Sequence, residues 1–160
     1  MKKKNKITIF YKNLIKNFFI LIYGKIILKK KINISINKYT LNKKKLGIKY
    51  NLYKIIHGRL YTDNIQNVAV IKNNILFGPG SFQIKNHKIV SPKQNSVLKK
   101  GTPRFKKKIN GTVLSTVQGG SGSNYFHWMF EILPKIKICL EVFKQNEIDY
   151  IYVPKYSSSQ

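Results

Sequence analysis

The tightest constraint on the fold lies in the last quarter of the chain, where three kinds of segment follow one another with little between them. Gln118-Gly119-Gly120-Ser121-Gly122-Ser123 is a glycine-rich loop. From Asn124 to about Phe143 the apolar residues Met129, Leu133, Ile136, Leu140 and Phe143 recur at helical spacing, which predicts a helix with those side chains on one face. Ser123 or Asn124 can cap its start. Pro134 cannot donate to the carbonyl of Phe130, so a kink or a restart is expected there. Asp149-Tyr150-Ile151-Tyr152-Val153 then reads as a short strand, closed by Pro154. Loop, helix and strand in this order make one step of an open α/β sheet. A doubly wound sheet needs several more strands, and the sequence ends at Gln160. The expectation is therefore a piece of a larger α/β enzyme, either a truncated reading frame or a fragment.

Residues 51–118 read as β-rich. Gly58 to Asn64 looks like a strand end and turn, Val68-Ala69-Val70-Ile71 is a short apolar run, and Lys72-Asn73-Asn74 is a polar turn. Ile75-Leu76-Phe77 leads into the breaker Gly78-Pro79-Gly80. Ser81 to Ile84 and Lys88 to Val90 are two further strands with Asn86-His87 between them. Lys99 to Lys108 is a basic loop, and Gly111 to Val117 is another strand. His57 and His87 have no partner in their motifs and read as structural or exposed.

Charge divides the chain differently. Residues 1–50 hold 15 Lys and no acid, residues 51–118 carry a net +11, and residues 119–160 are neutral, giving +26 in all. The expected organisation is a basic Lys/Ile/Asn-rich extension over 1–50 followed by an α/β domain over 51–160. Of the 31 cations only Arg59 and Arg104 are arginine. Lys, Asn, Ile and Tyr are what A/T-rich codons supply, so coding bias is read as the main origin of the charge. Arginine, the usual reader of phosphate and guanine, is nearly absent, and no specific nucleic-acid partner is expected. The single Cys139 excludes an intramolecular disulfide framework and a cysteine-based zinc site.

The apolar stretch from Phe18 to Leu28 is interrupted by Gly24-Lys25 and is too short to span a bilayer, which takes about 20 residues as a helix. It is expected to be a core helix or strand with Lys stems at its rim. The alternative is a basic apolar helix lying on an acidic leaflet.

A glycine-rich turn opening a helix presents free backbone N–H groups and the positive end of the helix dipole, which suits phosphate or diphosphate. Gly119, Gly120 and Gly122 would let the backbone approach such a ligand closely. No Lys-Ser/Thr follows, so this is not a nucleotide-triphosphate loop. His127 falls in the first turn, where the dipole favours neutral imidazole. Glu131 and Lys135 follow at four-residue steps on the same face. His127 with Glu131 has the spacing of a base and its orienter. It is equally the spacing of a capping histidine beside a surface Glu–Lys pair. Trp128 and Phe130 are expected to pack rather than to stack on a ligand.

Asn124-Tyr125-Phe126-His127-Trp128-Met129-Phe130-Glu131-Ile132-Leu133-Pro134-Lys135 resembles the central motif of glycosyltransferase family 61. That motif runs Asn, two aromatics, His, Trp, apolar positions around an acid, then Leu-Pro and a base. Gly58 to Asn64, Val68 to Ile71, Ser81-Phe82-Gln83 and Val153-Pro154 are similar as well, so the resemblance covers roughly residues 55–160. It implies a GT-B type enzyme with two Rossmann-like halves facing a cleft. Such an enzyme moves a sugar from a nucleotide-sugar donor to a hydroxyl on a glycan or lipid-linked acceptor, inverting the anomeric centre without a metal or other cofactor. His127 and Glu131 would be catalytic. Gly119, Gly120, Gly122, Ser123 and Asn124 would contact substrate or donor. Bacterial relatives imply surface-polysaccharide assembly, in the cytoplasm or peripheral to the inner face of the membrane. The rival readings are a basic nucleic-acid-binding protein and a non-catalytic remnant or adaptor at the membrane.

Overall fold

The apolar run beginning at Val68 is the centre of the fold. The computed structural model describes residues 6–29, 36–43, 47–64, 67–117 and 125–153. The chain opens with helix α1 (Lys6–Tyr23) and the antiparallel hairpin β1 (Ile36–Lys43) and β2 (Ile48–Ile55). Next come β3 (Arg59–Asn64), β4 (Asn67–Lys72), β5 (Ile75–Leu76), β6 (Phe82–Lys85) and β7 (Lys88–Val90). These form one antiparallel sheet in the order β3-β4-β6-β7, with β5 also paired to β4. The short helix α2 (Val97–Lys100) follows. β8 (Val113–Ser115), a helix from Tyr125 to Val142 and β9 (Tyr150–Tyr152) complete the described chain.

β4 is central because its residues are apolar on both faces. Ala69 and Ile71 pack with Ile26, Leu76 and Val97 in one buried cluster. Asn67, also buried, donates from Nδ2 to Ser96 Oγ at 3.0 Å and so ties β4 to the segment leading into α2. The two hairpin turns are set by residues that tolerate positive φ. Asn73 and Asn74 lie at 48° and 58°, and Asn86 and His87 at 49° and 60°. Two consecutive left-handed residues match the right-handed twist of the flanking strands. His57 and His87 are both exposed at such turn positions.

α1 departs from the expected core element. It is a helix, but Phe19 is its one buried apolar side chain, while Ile7, Phe10, Leu14, Phe18 and Leu21 are exposed. The reason is geometric: among the described residues, it is mainly the side carrying Phe19, Ile20 and Tyr23 that meets the rest of the chain, with Phe18 touching Phe105 at its edge. Phe19 packs on Tyr23 and Phe105, with ring centroids 5.9 and 5.1 Å away. Gly24, at φ 78°, ends the helix with its N–H on the Ile20 carbonyl at 2.8 Å. A Cβ there would sit 2.3 Å from Asn74 Nδ2. The chain then inserts Ile26 into the core, and Ile27 bridges to Ile75. Among the described residues no helix is long and apolar enough to cross a membrane.

The composition boundary at residue 50 falls inside β2. The β1–β2 hairpin meets the far end of the chain. Lys43 pairs with Glu141, Lys54 lies 3.7 Å from Glu147, and the rings of Tyr39 and Phe143 meet edge to face at 4.8 Å. Cations from the basic segment thus find acids from the balanced one.

β8 and β9 pair in parallel, Val113 opposite Tyr150 and Ser115 opposite Tyr152. With the helix between them they make one β-α-β step, as the loop–helix–strand pattern predicts. The fold is mixed α/β, with small, mostly antiparallel sheets and this one short parallel pair; the described residues do not form a Rossmann sheet. Asp149 anchors the step through Thr112, whose N–H donates to Oδ2 at 2.6 Å. Gly111, at φ 137°, allows the close approach, since a Cβ would lie 2.8 Å from that oxygen. Gly111→Ala is expected to cost about 1–3 kcal/mol through backbone strain and displacement of Asp149, measured by urea unfolding.

Candidate functional site

The motif helix is built in three pieces: a first turn, α3 (Tyr125–His127), a π-helical turn (Trp128–Ile132) and α4 (Leu133–Val142). Pro134 explains the middle piece. Its ring would crowd the carbonyl of the fourth residue back in a regular helix, and it has no N–H to give. The backbone widens before it instead, and the Leu133 N–H reaches back five residues to the Trp128 carbonyl. The structure replaces the expected kink or restart with a continuous helix containing a π-turn, a feature frequent at functional sites.

The extra residue in that turn changes which face is buried. Ile132 and Cys139 are buried and Trp128 and Ile136 are half-buried, whereas Met129, Leu133 and Leu140 are exposed. Of the expected stripe, Ile136 and Phe143 are half-buried as predicted, whereas Met129, Leu133 and Leu140 are exposed and Trp128, Ile132 and Cys139 take the inward positions. Phe130 does not pack inward either. It is exposed and lies against the Phe126 ring at 4.7 Å.

His127 and Glu131 are brought together across the first turns. His127 Nδ1 lies 2.9 Å from Glu131 Oε1, and both side chains are about one-third exposed. The separation is that of an ion-pair contact, but the ring N–H is not aimed at the oxygen, so Nδ1 makes no aligned hydrogen bond. The indole Nε1–H of Trp128 is buried and also has no acceptor among the described residues. Gly119, Gly120, Gly122, Ser123 and Asn124 lie outside the described residues. Chain order alone places them between β8 and the helix. In a parallel β-α-β step that connection leaves the carboxyl end of the first strand, where open α/β sheets bind ligands. The described residues contain no cluster of three His, Cys, Asp or Glu side chains suited to a metal.

Burial pushes the Cys139 thiol up from its ordinary pKa, and the nearby Lys135 charge only partly offsets this. Since the thiolate is the reactive form, native Cys139 is expected to react with iodoacetamide at pH 8 at least about tenfold more slowly than in 6 M guanidinium. Equal rates would contradict the burial.

The sequence reading passed over Arg59. Its two terminal nitrogens are buried with no acceptor among the described residues, and its guanidinium lies 5.9 Å from the centre of the Tyr23 ring. Lys106 sits over the same ring at 4.0 Å. Burial lowers the pKa of both groups, and Arg59 lowers that of Lys106 further. Arg104 reaches the Thr62 carbonyl on β3 at 3.4 Å. Both arginines thus meet at β3. The signal was their rarity in a chain that otherwise uses lysine.

No family model matches the chain, and neither a curated protein nor a solved structure is found to match it.

Proposed function

We propose that the chain is one half of a sugar-transferring enzyme of the family 61 type, with His127 as its base. The observation that carries this is the placement of the His127–Glu131 contact in the opening turns of a helix that links two parallel strands. There the acceptor hydroxyl oxygen attacks the anomeric carbon of a nucleotide sugar. Its proton passes to Nε2 of His127, and the bond to the diphosphate breaks with its electron pair leaving on the diphosphate. Glu131 orients the ring and stabilises the imidazolium as it forms. The Gly119–Ser123 loop and Asn124 would line the diphosphate side, using backbone N–H groups at the helix start.

The open surface around the step supports the reading. Tyr150, Ile151 and Tyr152 of β9 are all exposed, as are Tyr125, Met129 and Phe130 of the helix. Parallel strands are almost always covered on both faces, so further strands and a covering layer fit here. A second α/β half, facing the first across a cleft, supplies both. The associated setting is surface-polysaccharide assembly at the inner face of a membrane.

The test is to supply that second half, in the same chain or in trans, and measure sugar-nucleotide binding by calorimetry. Binding is expected. Its absence with both halves folded would leave a non-catalytic remnant instead.

A further inference from the structure

α1 carries an apolar face that the other described residues leave largely exposed. At 100° per residue, Ile7, Phe10, Leu14, Phe18 and Leu21 fall within about 80° of arc, and they are between 49% and 86% exposed. Tyr11, Ile15 and Ile22 widen that arc and are exposed too. The opposite side holds the residues that dock the helix on the body, Phe19, Ile20 and Tyr23, together with Lys12, Lys16, Asn13, Asn17 and one exposed apolar residue, Ile9. Phe105, 74% exposed, continues the apolar face beyond the helix, since its ring meets that of Phe18 at 6.5 Å. Lys106, Lys107 and Lys108 follow it directly.

We propose that α1 lies flat in the interface of an anionic lipid bilayer, with Phe10, Leu14, Phe18 and Leu21 entering the acyl boundary and Lys107 and Lys108, next to Phe105, on the headgroups. Charge complementarity selects this occupant. Residues 1–50 carry 15 lysines and no acid, so a second copy would meet strong like-charge repulsion across the same face. A nucleic acid would satisfy the lysines but not the aliphatic arc. An anionic leaflet satisfies both, since buried apolar area and attraction to acidic headgroups add. The helix is 18 residues long with Lys12 and Lys16 within it, so it lies on the bilayer and does not cross it. The proposal is independent of the chemistry at His127.

The test is co-sedimentation with vesicles of phosphatidylcholine containing 30% phosphatidylglycerol, against pure phosphatidylcholine. The wild type is expected to bind the anionic vesicles at least tenfold more tightly. Leu14→Gln/Leu21→Gln is expected to lose roughly tenfold or more of that affinity with an unchanged circular dichroism spectrum. If the double variant fails to fold, Leu21→Gln alone, at the most exposed position, should still weaken binding severalfold. Binding of the variants like wild type would mean attraction by charge alone and would overturn the proposal. So would equal affinity for neutral vesicles, or a stable dimer that the variants dissociate.

Discussion

On the proposed transferase reading, replacement of His127 by alanine, in the chain supplied with a second α/β half, is expected to slow sugar transfer about 100- to 10,000-fold, the usual range for removing a positioned general base. The fold should survive. His127 is only half-buried, its contact is to Glu131 one turn along the same helix, and the helix is held by Ile132 and Cys139. Glu131→Gln keeps the shape but removes the charge beside Nδ1. Its effect should be smaller, about tenfold, and should appear as an altered pH profile of kcat with little change in KM. Near-normal turnover by His127→Ala would remove the imidazole from the mechanism.

The second large effect concerns the sheet. Ile71→Ala is expected to destabilise the protein by about 2–5 kcal/mol and to lower Tm by roughly 5–20 °C. Ile71 is almost wholly buried and belongs to the cluster that joins β4 to Ile26, Leu76 and Val97. Deleting its distal carbons opens a cavity between segments that are otherwise joined by a few strand bonds, and the turns around it leave little room to collapse. Ile89→Ala, at an exposed position on β7, is the control and should shift stability by less than about 0.5 kcal/mol. Equal shifts for the two would place the core elsewhere.

Local chemistry made the middle of the chain legible. Asn73-Asn74 and Asn86-His87 mark their hairpins because Asn and His tolerate positive φ, and the Val68 run declares the central strand by its length of unbroken apolar residues. The β1–β2 hairpin was not legible. In β1, Tyr39, Leu41 and Lys43 alternate inward, and in β2 Tyr50, Leu52 and Lys54 do, but none is fully buried and lysines take inward places, too weak a pattern to separate from a charged extension. The stretch from Phe18 to Leu28, read as a core element, does bury Phe19 and Ile26, but the helix starts at Lys6 and most of its apolar side chains are exposed, because apolar content reports affinity for an apolar phase without saying which. The motif helix was found with nearly its observed bounds. Its buried face was legible only in part: Ile136 and Phe143 are half-buried as the spacing predicts, but Met129, Leu133 and Leu140 are exposed and their neighbours Trp128, Ile132 and Cys139 turn inward. The His127–Glu131 pairing was legible from four-residue spacing alone, since a wider turn beginning at Trp128 still leaves the two in contact.

The most direct measurement is the release of nucleoside diphosphate from a panel of sugar nucleotides, with a hydroxyl acceptor present, by the chain supplied with a second α/β half. The transferase reading predicts acceptor-dependent release from at least one donor, falling about 100-fold or more on His127→Ala. Release that is absent from every donor, or unchanged by His127→Ala, would contradict it.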